Sequence, residues 1–149
     1  MNIKTVNHII TYTDGASRGN PGEASLGVVI EDNRGNMLNE YGEALGVKTN
    51  NEAEYEAIVS ALKKVRSLVG KTRSKNITVE MRMDSKLAAE QLSGRYRLNS
   101  EKLYEPFISI WNAKIDFKEV IFKHIPREKN KEADRLANEA LDNKQGTLL

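Results

Sequence analysis

The order of hydrophobic repeats along the chain constrains its fold more than any other feature. Leu26, Val28 and Ile30 are separated by single residues whose positions belong to the opposite face, and this alternation is typical of a strand with one buried side. After residue 49 the apolar residues recur at helical spacing instead, at Ile58 and then at 61, 62 and 65. A chain that starts with strands and then mixes helices with strands folds as a mixed α/β sheet.

The remaining elements follow from the same patterns and from turn and cap signals. Strands are expected near residues 9–14, 26–30, 37–45, 77–84 and 119–124. Helices are expected at about 51–66 after a Thr49-Asn50-Asn51 cap, after Ser85, after Asn99 or Ser100, and at about 130–141. The predicted order is therefore β-β-β-α-β-α-α-β-α, with Trp111 placed in the core by its spacing.

The first strand leads into a glycine-rich segment. The strand is expected to end at Asp14, and an irregular loop containing Gly15, Gly19 and Gly22 is expected to continue to about Ala24. Such a loop lets the backbone approach a ligand closely and places one carboxylate at its edge. The alternative is an Asp-Gly hairpin turn without chemistry, which the length of the irregular stretch disfavours.

Composition limits the class of protein. The chain has 149 residues, 30% of them charged, a net charge of +2 and no cysteine, so a single cytoplasmic domain over residues 1–143 with a frayed tail at 144–149 is expected. No run approaches the length of a membrane span. With so small a net charge, an anionic partner has to be bound by local basic clusters, of which Lys63–Lys75 is the longest.

Five polar residues share one kind of position, the end of an element. Asp14, Asp84 and His124 end strands, and Glu54 and Asp134 lie near helix starts. Ligands of α/β sheets gather at such ends. Glu54 is the most informative, because it lies on the same helical face as the apolar stripe and a buried charge needs a partner. Glu52 and Glu56 point elsewhere and are expected to be solvent-exposed charges.

Each of the five also has an ordinary structural interpretation. Asp84 or Ser85 can simply cap a helix, Asp134 can favour a helix dipole, and a histidine at a strand end is often structural. Four clustered carboxylates, however, repel one another, so such a site would either raise the pKa values of these acids or bind cations. An oxygen-rich set without cysteine suits Mg²⁺ or Mn²⁺, and two such ions form the usual clamp for displacement at a phosphodiester.

Four blocks of sequence together resemble type 1 ribonuclease H. They are Tyr12–Gly22, Thr49–Glu54, Met83–Ser85 and His124–Ala137, and they occur in order with fitting spacings over nearly the whole chain. The resemblance implies a ribonuclease H-like five-stranded mixed sheet with helices on both faces. It also implies hydrolysis of the RNA strand of an RNA/DNA hybrid with two Mg²⁺ ions (or Mn²⁺), leaving 5′-phosphate and 3′-hydroxyl ends.

The resemblance also implies residue roles. Asp14, Glu54, Asp84 and Asp134 match the metal-binding carboxylates, and His124 matches a histidine that assists proton transfer or product release. Contacts to the hybrid are implied for Asn20, Thr49, Asn50, Asn51, Lys86 and Asn99. A monomer without an obligate protein partner is expected. The chain departs from many bacterial members because Gly94–Asn99 replaces their basic protrusion, and because Val47 and Lys86 stand where arginine and glutamine are frequent.

Three rival functions stay open at this level. A metal-dependent exonuclease of the same broad fold would also use several carboxylates, but would leave Asn20, Asn50 and Asn51 without a role. An ATP-binding phosphotransferase of the actin-like fold needs two lobes, which a chain of 149 residues does not hold. A silent hybrid-binding module gains nothing from acidic groups that face a polyanion.

Overall fold

The computed structural model describes residues 6–148, with side chains from 6 to 144. Its elements are β1 (His8–Gly19), β2 (Gly22–Asp32), β3 (Met37–Lys48), α1 (Asn50–Val69), α2 (Lys71–Ser74), β4 (Thr78–Met83), α3 (Lys86–Leu92), α4 (Tyr104–Lys114), β5 (Glu119–His124) and α5 (Lys131–Leu148). Short 3-10 turns at Glu101–Leu103 and Arg127–Lys129 precede α4 and α5. The predicted order is confirmed, with the single-turn helix α2 as an addition. None of the helices within the described residues is long and apolar enough to cross a membrane.

The strands form one mixed sheet of five in the order β3-β2-β1-β4-β5. β1, β2 and β3 pair antiparallel as a meander, whereas β4 is parallel to β1 and β5 is parallel to β4. The last parallel pair between β1 and β4 is Thr13 with Met83. Asp14 and Asp84 therefore follow the same rung of the ladder, which brings two carboxylates to one edge of the sheet.

Helices cover both faces of the sheet, as predicted. On one face Val28 and Ile30 of β2 pack in the core with Ile58 and Leu62 of α1, and α4 packs on α1. On the other face α5 crosses β1, β2 and β3 so closely that a Cβ at Gly27 would lie 1.9 Å from the Ala133 carbonyl oxygen. Only a glycine permits this approach of helix to strand, and the approach fixes where α5 begins relative to β1.

The prediction that the first strand ends at Asp14 is wrong. β1 continues to Gly19 and β2 starts at Gly22, so the predicted glycine loop is a long hairpin whose turn lies at Asn20-Pro21. The strand pairing continues past Asp14: Ala16 is paired with Ser25, and Ser17 is paired with Ala24. The hairpin that the sequence suggested thus exists, but its turn lies beyond Asp14-Gly15.

Four further expectations differ from the structure. Trp111 is 51% exposed rather than buried, because the adjacent Ile110, about 100° away on the helix, takes the core position. The last helix continues to Leu148, well past the predicted end at Leu141, so the backbone of the expected tail is helical as far as the structure describes it. The helix predicted after Asn99 or Ser100 begins as a 3-10 turn, and Ser100 makes no side-chain cap bond. Glu52, expected to be a solvent charge, completes the cap of α1.

Candidate active site

Three carboxylates from separate elements converge at the edge of the sheet. Asp14 comes from β1, Asp84 from the residue after β4, and Glu54 from the first turns of α1. One oxygen of each lies within 4.8 Å of the others. Asp14 is buried, with 5% of its surface exposed, and Glu54 is nearly so, with 9% exposed. Three of the four carboxylates named from the sequence therefore lie in one place.

Two local features hold Glu54 in this position. Thr49 and Glu52 form a reciprocal capping box, in which each side chain accepts the other's backbone N–H at 3.2 Å and 3.0 Å, and this fixes the start of α1. Gly15 lets the helix approach β1, since a Cβ there would lie 2.3 Å from the Glu54 backbone nitrogen. The glycine after Asp14 is thus required for packing against α1 rather than for a flexible loop.

The cluster is electrostatically unfavourable without a cation. Burial, together with the negative charges of Glu54 and Asp84, raises the pKa of Asp14 far above its usual range. Burial and Asp84 likewise raise the pKa of Glu54, although the Gly15 N–H and the positive charge of Arg127 oppose this. Both acids therefore retain protons to higher pH than an exposed carboxyl group does, unless a positive charge is bound beside them.

Asp134 reaches the cluster from the opposite face of the sheet. It lies in the first turn of α5, whose start is tied to β1 because the buried Asn130 side chain donates to the Thr13 carbonyl oxygen at 2.9 Å. A hydrogen bond between Asp134 and Asp14 contributes to the raised pKa of Asp14. Asp134 therefore lies beside the three converging carboxylates without belonging to their tightest group.

The carboxylates line an open cleft of about 490 Å³. Its other walls are the strand residues after Asp14, the first turn of α1 and the start of α3, and they include Ser17, Asn50, Asn51, Ser85, Arg127 and Asn138. A groove of similar size between β3 and α1 has two glutamates, Glu43 and Glu56, but no converging carboxylate trio within the described residues. The cleft is therefore the candidate active site.

Arg127 and Asn138 are site residues that the sequence reasoning missed. Arg127 lies seven residues before Asp134 in the same matched block, His124–Ala137, but the sequence analysis gives it no role. Asn138 lies one helical turn after Asp134, so helical periodicity could have identified it. Either residue could have been found only by recognising that the chain after His124 forms a turn and then a helix that faces the site.

The predicted substrate-binding residues fall into three places. Asn50 and Asn51 line the cleft, and Asn20 at the hairpin tip accepts a hydrogen bond from the Asn50 backbone N–H at 3.0 Å. Asn51 is shared with a second groove of about 560 Å³, which also contains Asn99. Thr49 lies at the start of α1, and its hydroxyl oxygen is used by the capping box.

The other two predicted site residues lie outside both grooves. His124 ends β5 and is exposed, and Lys86 is the exposed first residue of α3. Neither lines the carboxylate cleft or the second groove. Both residues therefore lie at the periphery of the site, one at the end of β5 and the other at the start of α3.

The site has the chemistry of a divalent cation site. Carboxylate oxygens from three elements converge, and Glu54 Oε2 is buried without a hydrogen-bond partner among the described residues. A buried carboxylate oxygen without a donor is costly, and a cation relieves this cost together with the repulsion between the acids. An all-oxygen donor set fits a hard cation such as Mg²⁺ or Mn²⁺.

Comparisons with known proteins agree with this geometry. The family model described as "Reverse transcriptase-like" matches residues 12–140. A protein named Ribonuclease HI from Halobacterium salinarum is 38% identical over 88% of this chain, and "Bifunctional protein Rv2228c" from Mycobacterium tuberculosis is 36% identical over 90%. This chain spans 63% of the first relative and 35% of the second.

Two solved structures indicate the same family, and each match covers almost the whole length of the solved chain. LC11-RNase H1, solved in complex with an RNA/DNA hybrid, is 45% identical, with a TM-score of 0.87 over 92% of this chain and 99% of that chain. RNase H1 from Halobacterium salinarum is 36% identical, with a TM-score of 0.85 and the same coverage. The converging carboxylates, the sheet order and these matches together show that the chain belongs to the type 1 ribonuclease H family.

Proposed function

We propose that the protein is an endoribonuclease that hydrolyses the RNA strand of RNA/DNA hybrids. The observation that carries this proposal is the convergence of Asp14, Glu54 and Asp84 within 4.8 Å at the base of an open cleft. Membership of the ribonuclease H family and the hybrid bound in the LC11-RNase H1 structure support the choice of substrate. The products are 5′-phosphate and 3′-hydroxyl ends.

The carboxylates are assigned the role of cation ligands. Asp14, Glu54, Asp84 and Asp134 together hold two Mg²⁺ ions, with Mn²⁺ as a substitute. Bound divalent cations supply an activated water and neutralise charge on the scissile phosphate. Asp14 is the carboxylate that lies close to all the other acids, and a cation ligated by it is therefore within reach of both Glu54 and Asp134. His124, at the exposed end of β5, moves a proton to or from bulk water.

The surrounding amides bind the hybrid across its minor groove. Asn50 and Asn51 line the cleft at the start of α1, and Asn20 is fixed beside them by the Asn50 backbone N–H. Side chains at this position can contact 2′-hydroxyl groups and base edges of the RNA strand. Thr49 and Lys86, at the starts of α1 and α3, bind backbone phosphates or adjacent base edges.

The second groove extends the binding surface where the basic protrusion is missing. It contains the exposed Leu87 and Tyr96 beside Arg97, Asn99 and Arg95, of which Arg95 is paired with Glu90. Apolar side chains beside a cation suit the sugar faces and phosphates of one nucleic-acid strand. We assign this groove to the DNA strand, with the cleft taking the RNA strand.

Catalysis needs no residue from a second subunit, because the carboxylates and the amides of the cleft come from one chain. We further propose that the enzyme acts as a monomer in the cytoplasm, without an obligate protein partner.

The test is cleavage of an end-labelled RNA/DNA hybrid in Mg²⁺ or Mn²⁺, beside duplex RNA, duplex DNA and single strands. Internal cuts in the RNA of the hybrid, lost in Asp14→Asn and in chelator, are expected. Binding without cleavage identifies a silent module, and stepwise shortening from one end identifies an exonuclease; either result refutes the proposal. Arg97→Ala is expected to raise KM and to reduce its salt dependence without changing kcat.

A further inference from the structure

We propose that Asn138 is a positioning residue that orients the Asp134 carboxylate toward the cation site. The proposal rests on the assignment of the cleft as a cation-dependent nuclease site, and it concerns a residue outside the motifs that define that assignment. Asn138 lies in α5, four residues after Asp134, and both line the same cleft.

The Asn138 side chain contacts both the backbone and the side chain of Asp134. The Asn138 Nδ2 group donates to the Asp134 carbonyl oxygen at 3.0 Å and to its carboxylate Oδ1 at 3.3 Å. The second of these bonds restrains the rotation of the Asp134 carboxylate about its side-chain bonds.

The orientation of this carboxylate is not fixed by the main cluster. Asp14, Glu54 and Asp84 come within 4.8 Å of one another, and Asp134 is outside that group. A ligand at the margin of a site depends most on outer contacts for its rotamer, and such contacts typically change metal affinity or activity about 10- to 100-fold.

An amide at this position has a physical advantage over a charged donor. Arginine or lysine there would compete with the cation for the carboxylate, whereas an amide donates a hydrogen bond without adding charge. The nearest arginine on the helix, Arg135, is already paired with Glu132 and Glu139. The negative charge of Asp134 thus remains available to a cation.

Helix formation alone does not account for asparagine at residue 138. Asparagine is a poorer helix former than alanine, and in a helix interior it competes for backbone hydrogen bonds. Residue 138 lies well inside α5, which runs from Lys131 to Leu148. Asn138→Ala is therefore expected to leave the cation-free protein as stable as the wild type, or slightly more stable.

The experiment separates positioning from a structural role. Thermal unfolding of wild type, Asn138→Ala, Asn138→Gln and the exposed α4 control Asn112→Ala is measured in chelator and over a Mn²⁺ titration, without substrate. A bound cation raises the unfolding midpoint by an amount that grows with the logarithm of the cation concentration divided by its Kd. Asn138→Ala is expected to reduce this cation-induced shift, Asn138→Gln to restore part of it, and Asn112→Ala to match the wild type.

Hybrid cleavage gives a second readout on the same proteins. The half-saturating Mg²⁺ concentration is expected to rise about tenfold in Asn138→Ala, with kcat at saturating Mg²⁺ close to the wild-type value. An unchanged cation-induced shift, or a lower midpoint in chelator with a normal shift, overturns the proposal. If the wild type fails to cleave hybrids, the proposed function fails, while the thermal titration still decides the role of Asn138.

Discussion

Substituting Gly15 by alanine tests whether the approach of α1 to β1 builds the active site. The Cβ of alanine would lie 2.3 Å from both the Ala53 carbonyl carbon and the Glu54 backbone nitrogen. These atoms belong to the helix backbone and cannot rotate away. The start of α1 must therefore shift, and it carries Glu54 with it.

The size of the effect follows from these distances. Ordinary van der Waals contact begins at 3.4 Å, so the helix has to move by about 1 Å from 2.3 Å to accept the methyl group. Overpacking of this kind costs about 1–3 kcal/mol of stability. A displacement of about 1 Å in a catalytic group lowers activity by about 100-fold, so Gly15→Ala is expected to lose far more activity than stability.

Chemical unfolding and single-turnover hybrid cleavage measure the two quantities on the same protein. Gly35→Ala is the matched control, because Gly35 has φ +83° but no atom within 4 Å of an added Cβ. It is expected to lose stability through backbone strain, with normal cleavage by the fraction that is folded. Gly15→Ala with wild-type cleavage would refute the argument that this contact places Glu54.

Three further predictions concern stability. Because burial and neighbouring acids raise the pKa of Asp14 and Glu54, the cation-free fold retains protons that the unfolded chain releases, so its melting temperature should fall as the pH rises from about 5 to 8. Asp14→Asn should flatten that profile, and a flat wild-type profile in chelator would contradict the prediction. Asn130→Ala should cost about 1–3 kcal/mol in urea unfolding, because it leaves the Thr13 carbonyl without its buried donor. Asp32→Ala should destabilise the β2–β3 turn, and because hydrogen bonds lower the pKa of Asp32, the difference from the wild type should shrink as the pH falls through the carboxyl range.

The features that could be predicted from the sequence are those in which local pattern and tertiary contact agree. The switch from strand to helical periodicity at Thr49 is a true element boundary, and the helix cap predicted there is confirmed with Thr49 as the N-cap residue. Glu54 was identified because a carboxylate on an apolar helical face contradicts ordinary burial. In the structure the Glu54 Oε2 atom is indeed buried, and it has no hydrogen-bond partner among the described residues.

The features that could not be predicted depend on pairing between distant segments. Asp14 looked like a strand end because glycines follow it, yet those glycines continue the antiparallel pairing with β2 as far as Gly19 and Gly22. Trp111 looked buried because its spacing places it on the apolar side of α4, yet the neighbouring Ile110 occupies the core and Trp111 is exposed. Neither outcome follows from local propensity, since both depend on which neighbours the fold supplies.

The error about the end of the first strand does not move Asp14 away from the other carboxylates, and the strand pairing explains why. The position of a carboxylate at the site depends on where parallel pairing ends, not on where the strand ends. β1 loses its parallel partner β4 after Thr13 and Met83, so the edge opens beside Asp14 although β1 itself continues along β2. The same opening exposes Asp84 and gives α1 room to bring Glu54 across at Gly15. Acids gathered at such an opening destabilise the cation-free fold, and the cation that removes this cost is also the one that the proposed chemistry requires.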